Sequence, residues 1–148
     1  MYKQSESVIV PRTSKINSKN DLKNAVVGVE KGTVFEDSAQ SWKKNNLVKD
    51  VLSFENTSKV LDAINNGEID AGVSDSTLVK NFFKNKNFLE VLRDYTPEIP
   101  GTSGIAVKKR DITLLSALNE KISEMKADGT LYAILVENGL DRNNIISN

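Results

Sequence analysis

The residues best suited to chemistry stand in one short segment, Gly32-Thr33-Val34-Phe35-Glu36, directly after the apolar run Val26-Val27-Gly28-Val29. Thr33 with Glu36 three places on is a capping-box pattern, which marks the start of a helix. Phe35, Ala39 and Trp42 follow at helical spacing and give that helix one apolar face. A strand that passes through a glycine turn straight into a helix leaves unpaired N–H groups at the positive end of the helix dipole. Such a place suits a small anion, so a carboxylate held just after residue 32 is the first expectation. Thr33 is a helix cap in its own right, a role worth about 1 kcal/mol whatever else it does.

The elements that must position this segment alternate along the chain. Strands are expected at 8–10, 26–29, 48–54, 69–73, 88–92 and 104–107. Helices are expected at 18–22, 34–44, from Thr57 or Ser58 to Gly67, and around Leu78, Val79, Phe82 and Phe83. Leu115, Leu118, Ile122 and Met125 form the stripe of a long helix, read as intramolecular packing and closed near Gly129. A last short helix runs from Thr130 to Val136 and closes at Gly139. The stretch 96–104 holds two of the three prolines and two glycines, and reads as a loop. Strand–helix alternation implies right-handed crossovers and a doubly wound, mostly parallel sheet of about five strands, an α/β fold in a single domain spanning 1–148. In such sheets ligands sit beyond the carboxyl ends of the strands. Two polar pairs fall there, Gly32-Thr33 after the strand ending near Glu30 and Ser74-Asp75 after the strand ending near Val73. Asp70 lies at the opposite end of that second strand, roughly 16 Å from Asp75, so the two cannot share a site. Asp75 reads equally as the cap of the helix that carries Leu78 and Phe82.

Bulk composition excludes several classes. The 148 residues carry 20 Lys+Arg against 20 Asp+Glu, a formal charge of zero, so nothing favours nucleic acid or an anionic membrane surface. No apolar run approaches the length of a membrane span. Cysteine and histidine are both absent. Thiol catalysis, Ser-His-Asp systems and the common zinc motifs are therefore excluded. Any catalysis would rest on carboxylates, lysines, tyrosines or backbone dipoles, and no cofactor or metal is expected.

The order of several motifs resembles a known family. Asp21-Leu22 precedes Val27-Gly28-Val29 and Gly32-Thr33, and these are followed by Asn66-Gly67-Glu68-Ile69-Asp70-Ala71-Gly72-Val73-Ser74-Asp75. Gly104-Ile105-Ala106-Val107-Lys108-Lys109 and Lys126-Ala127-Asp128-Gly129-Thr130 complete the pattern. From about residue 7 to 139 the chain resembles the extracellular amino-acid-binding proteins of ABC importers, family 3 solute-binding proteins with a type II periplasmic fold. That resemblance implies two lobes joined by crossing strands, here 7–11 and 104–108, with C-terminal helices at 111–139. It implies that this chain matches the second lobe, as a fragment or truncated gene product. The ligand-gripping arginine and aromatic wall of the first lobe have no counterpart here.

The resemblance also implies roles. Thr33 and the backbone N–H of Val34, after Gly32, would contact the ligand's α-carboxylate, and Asp75 would pair with its α-ammonium. The amino acid and a membrane permease would be the partners, outside the cytoplasm, although the chain shows no signal sequence or lipid-anchor cysteine. The C-terminal helices lean on the first lobe in the family, so their apolar face predicts a self-associated or segment-exchanged homodimer here. Cyclohexadienyl or arogenate dehydratases share the resemblance and supply the competing enzymatic reading. A non-binding, self-associating remnant is the third. Trp42 and the Phe82/Phe83 pair are expected in the core.

Overall fold

The computed structural model describes residues 2–83 and 88–146. Two compact units divide the chain, one of Ser5–Ile99 and one combining the N-terminal residues to Gln4 with Pro100 onward. In chain order the elements are β1 (Lys3–Gln4), β2 (Glu6–Pro11), a 3-10 turn (Lys19–Asn24), β3 (Val26–Glu30), α1 (Val34–Lys44) and β4 (Asp50–Phe54). Then follow α2 (Thr57–Asn65), β5 (Ala71–Asp75), α3 (Ser76–Phe83), β6 (Leu89–Val91), β7 (Gly101–Thr102), α4 (Ile112–Ala127) and α5 (Thr130–Glu137).

The larger unit holds a five-stranded sheet in the order β4-β3-β5-β2-β6. β3 pairs in parallel with β4 and β5, while β2 lies antiparallel between β5 and β6. Four strands therefore share one direction and β2 alone opposes them. The sheet is the expected five-stranded α/β arrangement, with the 8–10 segment built into it as a mixed-direction strand. The chain steps from β3 outward to β4 and then back across β3 to β5. Right-handed crossovers in opposite directions place their helices on opposite faces. Accordingly, Ala39 and Trp42 of α1 share a core cluster with Val8, Val10, Val27, Val29 and Val73. Val60, Leu61 and Ile64 of α2 share the other face with Ile9, Ile69, Leu89 and Val79 of α3. The period-two alternation of β2, with Val8 and Val10 on one face and Ile9 on the other, sorts its side chains between the two clusters.

A pair of glycines sets how closely α2 approaches. Gly28 of β3 lies opposite Gly72 of β5 in the ladder. A Cβ on Gly72 would stand 2.7 Å from Val60 Cγ1 and 2.9 Å from Ile64 Cδ1. A Cβ on Gly28 would meet Ile69 Cδ1 at 2.3 Å. The helix rests on bare backbone there.

Several boundaries differ from the sequence expectation for identifiable reasons. The strand expected at 69–73 begins at Ala71, because the Ile69 amide still bonds the Ala63 carbonyl that closes α2. The strand expected from Val48 begins at Asp50. The α2 cap is Asn56, whose Oδ1 accepts from the Lys59 amide at 3.0 Å; Thr57 has another partner. Segment 104–108, expected as a returning strand, takes no strand conformation, since no described strand runs alongside to pair with it.

The smaller unit pairs β1 antiparallel with β7 and packs α4 beside α5. Gly129 and Gly139 close these two helices with φ of 83° and 81°, conformations that favour glycine. The α4 stripe, expected to pack within the chain, is half-buried at Leu118, Ile122 and Met125 and exposed at Leu115. No described side chain of α4 is buried, and Leu135 of α5 is the unit's sole fully buried apolar side chain among the described residues. Ile112, Leu114, Leu115, Ile134 and Val136 are exposed. No helix among the described residues is long and apolar enough to cross a membrane.

Substituting Gly72→Ala will lower the stability of the larger unit by about 1–3 kcal/mol, the usual cost of overpacking. Urea unfolding followed by circular dichroism reads this directly.

Candidate functional site

The strand order reverses between β3 and β5: the connection leaving β3 turns one way across the sheet, and the connections reaching and leaving β5 turn the other. The crevice at their carboxyl ends is where an open α/β sheet admits a ligand. Gly32-Thr33 follows one of these strands and Asp75 ends the other, so hydrogen-bonded neighbours carry both candidates to the same edge. Asp70 is placed at the opposite edge, where its Oδ2 accepts from the Val26 amide at 2.8 Å.

At the first position the turn is built as the sequence suggests. Gly32 takes φ 76°, a left-handed conformation. Thr33 caps α1, its Oγ1 accepting from the Glu36 amide at 3.3 Å and donating to the Glu30 carbonyl at 2.7 Å. Glu36 reaches back to accept from the Gly32 amide at 2.7 Å, and its other oxygen accepts from Ser53 Oγ. The Ser53 bond, then the Gly32 amide, hold the Glu36 carboxyl below its ordinary range. Because Glu36 takes the Gly32 amide, the amides of Thr33, Val34 and Phe35 have no hydrogen bond among the described residues. Those donors, at the helix N-terminus, can receive a carboxylate. The side chain of Val34 is exposed.

At the second position Asp75 Oδ1 accepts from the Thr77 amide at 2.7 Å, from Thr77 Oγ1 at 2.5 Å and from the Leu78 amide at 3.4 Å. It therefore caps α3. Its Oδ2 has no bond among the described residues, and one free carboxylate oxygen is what an ammonium group needs.

Two polar groupings escaped the sequence reading. Glu30 Oε2 accepts from the Thr57 amide at 3.0 Å and from Thr57 Oγ1 at 2.8 Å, and Thr57 Oγ1 lies 3.0 Å from Ser74 Oγ. Thr57 and Ser74 are buried. This triad fills the N-terminus of α2 with the chain's own carboxylate. The second grouping surrounds Glu6, which is 1% exposed. Its carboxylate accepts from the Tyr95 hydroxyl at 2.6 Å, from the Glu98 amide, and from the Ile99 amide at 3.0 Å. Burial first, then the bond to Glu6, push the Tyr95 phenol far above its ordinary value. Glu98 in turn pairs with Lys19 and accepts from Trp42 Nε1 at 3.0 Å. Lys19 stands over the Trp42 ring, and Tyr95 meets that ring edge-on. Trp42 is buried as expected, with its indole N–H satisfied. The one sequence signal for Glu6 was its parity: it continues the Val8/Val10 face of β2, where a charged residue must find partners.

Comparison with known proteins follows from this geometry. A family profile described as "Protein of unknown function (DUF3834)" matches residues 5–144. The chain is 31% identical over 134 residues to the "Probable histidine-binding protein" of Neisseria gonorrhoeae, covering 86% of this chain and 48% of that one. It is 29% identical to the "ABC transporter arginine-binding protein 1" of Escherichia coli, covering 90% of this chain and 55% of that one. Among solved structures, an ancestral arginine-binding protein bound to arginine superposes with a TM-score of 0.72 at 29% identity, covering 91% of this chain and 60% of that one. The chain thus spans about half the length of the curated relatives it matches. The fold is that of type II periplasmic binding proteins.

The Lys19 pairing, then the Trp42 bond, hold the Glu98 carboxyl below its ordinary value of 4.5. A carboxylate with a lowered folded-state pKa contributes above the ordinary value and is lost as pH falls through the lowered one. Emission of Trp42, the single tryptophan, will therefore hold steady on acidification and change only below pH 4.5. Glu98→Gln will give the low-pH emission at neutral pH and remove that step in a fluorescence titration.

Proposed function

For a chain that belongs to the DUF3834 family and is a homologue of the family 3 amino-acid-binding proteins of ABC transporters, we propose the role of ligand-holding component of an amino-acid importer. The observation that carries this reading is the pairing, on one sheet edge, of unengaged helix-terminal amides at 33–35 with an unengaged Asp75 oxygen. An amino acid's α-carboxylate and α-ammonium are complementary to that pair. In this reading the carboxylate settles on the amides of Thr33 and Val34. The Thr33 hydroxyl turns its proton from the Glu30 carbonyl toward the ligand, while its lone pair keeps the Glu36 amide. The ammonium binds Asp75 Oδ2, and Oδ1 stays on α3. Gly32 serves by letting the turn approach the ligand without a Cβ. Nothing in this chemistry requires bond making, so the role is binding without catalysis. Delivery to a membrane permease and a location outside the cytoplasm complete the proposal, supported by the likeness to an ABC transporter arginine-binding protein.

The smaller unit supports a further partner. With one fully buried apolar side chain among its described residues, it leaves Ile112, Leu114, Leu115, Ile134 and Val136 exposed to water, an arrangement that favours association. A homodimer through these helices is the form we propose for the isolated chain.

Thermal unfolding with each L-amino acid tests the first proposal. A bound ligand at about 100 times its Kd adds about 2.7 kcal/mol, a rise of several degrees. Asp75→Asn will abolish that rise while leaving the unliganded melting temperature within a few degrees. No rise with any amino acid overturns the reading. Sedimentation equilibrium tests the second: the chain will sediment as a dimer and Ile112→Glu combined with Leu114→Glu as a monomer, whereas a wild-type monomer at high concentration removes the dimer.

A further inference from the structure

The buried carboxylate of Glu6 is not used by the proposed binding chemistry, and its location points to a mechanical role. The larger unit begins at Ser5 and ends at Ile99, so two chain connections leave it, Gln4–Ser5 and Ile99–Pro100. Glu6 lies one residue inside the first connection. Its carboxylate binds the amides of Glu98 and Ile99, the last two residues before the second. One side chain therefore ties both connections together. Beyond them, the neighbouring residues are also paired: Gln4 lies opposite Gly101 and Lys3 opposite Thr102. Ser103 Oγ adds a bond to Gln4 Oε1 at 2.9 Å. Ser5 is itself fixed, its carbonyl accepting from the Ser76 amide at 2.8 Å.

We propose that Glu6 is a staple that confines flexing of the chain to the Gln4–Ser5 and Ile99–Pro100 linkages. Clamped on both sides, the two connections have only these linkages left to absorb rotation. Three donors converge on the carboxylate, which offsets the cost of burying its charge. The rest of the exit segment is held in the same assembly, through Tyr95 on Glu6 and through Glu98 on Lys19 and Trp42. Glu6 also stands opposite Asp75 in the β2–β5 ladder. The staple is thus built on the backbone that carries the proposed ammonium acceptor. A released staple would let bending spread back through 95–99. The inference goes beyond the ligand reading and does not depend on it, since it concerns the unliganded chain.

Hydrogen exchange read residue by residue tests it. In the wild-type chain the Glu98 and Ile99 amides will be protected although they lie in a loop. Glu6→Gln keeps the shape but offers one acceptor oxygen in place of two, so exchange at one or both of these amides will rise about tenfold. The amides of Val29 and Val73 in the sheet will keep their wild-type rates. Trp42 emission will shift with the release of Tyr95 and Glu98. Glu6→Asp, which keeps the charge but is too short to reach both connections, serves as the second variant and will behave in the same way. Unprotected Glu98 and Ile99 amides in the wild type would overturn the proposal. So would variants in which the sheet amides exchange faster by the same factor, since Glu6 would then merely support the core.

Discussion

The close approach of α2 to the sheet, made over Gly28 and Gly72, is the constraint on which the placement of everything else depends. These two residues face one another in the β3–β5 ladder; Val60 and Ile64 of α2 fill the space a side chain would take at Gly72, and Ile69 fills it at Gly28. With no Cβ on either strand, the helix seats directly on backbone and the two strands are held in one register. That register brings the end of β3 beside the end of β5. The glycine turn at 32 and the carboxylate at 75 share an edge because β3 and β5 run parallel in that register. Interiors packed at crystal-like density transmit such a requirement over distance, because no slack remains to absorb an added methyl group.

Polar groups at the crevice illustrate a second economy: the chain's own carboxylates occupy helix ends, and what they leave open defines the site. Glu30 fills the start of α2, and Asp75 with one oxygen caps α3. At α1 the reach of Glu36 is one residue longer than in the simplest capping box. It takes the Gly32 amide and so leaves the amides of Thr33 to Phe35 unengaged. Thr33 makes two bonds through a single oxygen, and only the one it donates can be redirected without uncapping the helix. Capping and ligand binding are therefore compatible at this residue, because they use different sides of the hydroxyl.

Much of this was legible in the sequence, and the reasons are local. The run from Val26 to Lys44 combines a buried strand, an obligatory glycine and a cap with its partner at the right spacing, and α1 has the bounds its periodicity predicts. Helices closed by Gly129 and Gly139 were equally plain, since a left-handed closing residue is a strong signal. The misplaced features depend on partners far away in the chain. Segment 104–108 has strand-like residues, yet a strand exists only beside another. Thr57 and Ser58 carry hydroxyls suited to capping α2, but Thr57 is drawn to Glu30, 27 residues earlier. Glu6 binds residues more than 90 positions later, and no local pattern announces such a pair. The stripe on α4 reads in sequence as packing within the chain, and the structure covers it only in part. Periodicity reports that a face is apolar, not what covers it.

The candidate site consists of one partial positive end and one carboxylate, both at an open sheet edge. In water, paired charges of this kind contribute only about 0–1 kcal/mol each, since solvent competes for every donor and acceptor. Association also costs several kcal/mol in lost translational and rotational freedom. Groups that are correctly placed are thus necessary without being strong. Their strength grows when a second surface excludes water and lowers the local dielectric around them. For the proposed ligand, affinity at this edge would accordingly be set less by Thr33 and Asp75 than by a surface that closes over them. In the proposed binding role, the placement of those two residues would decide what is recognised, and a covering surface how tightly.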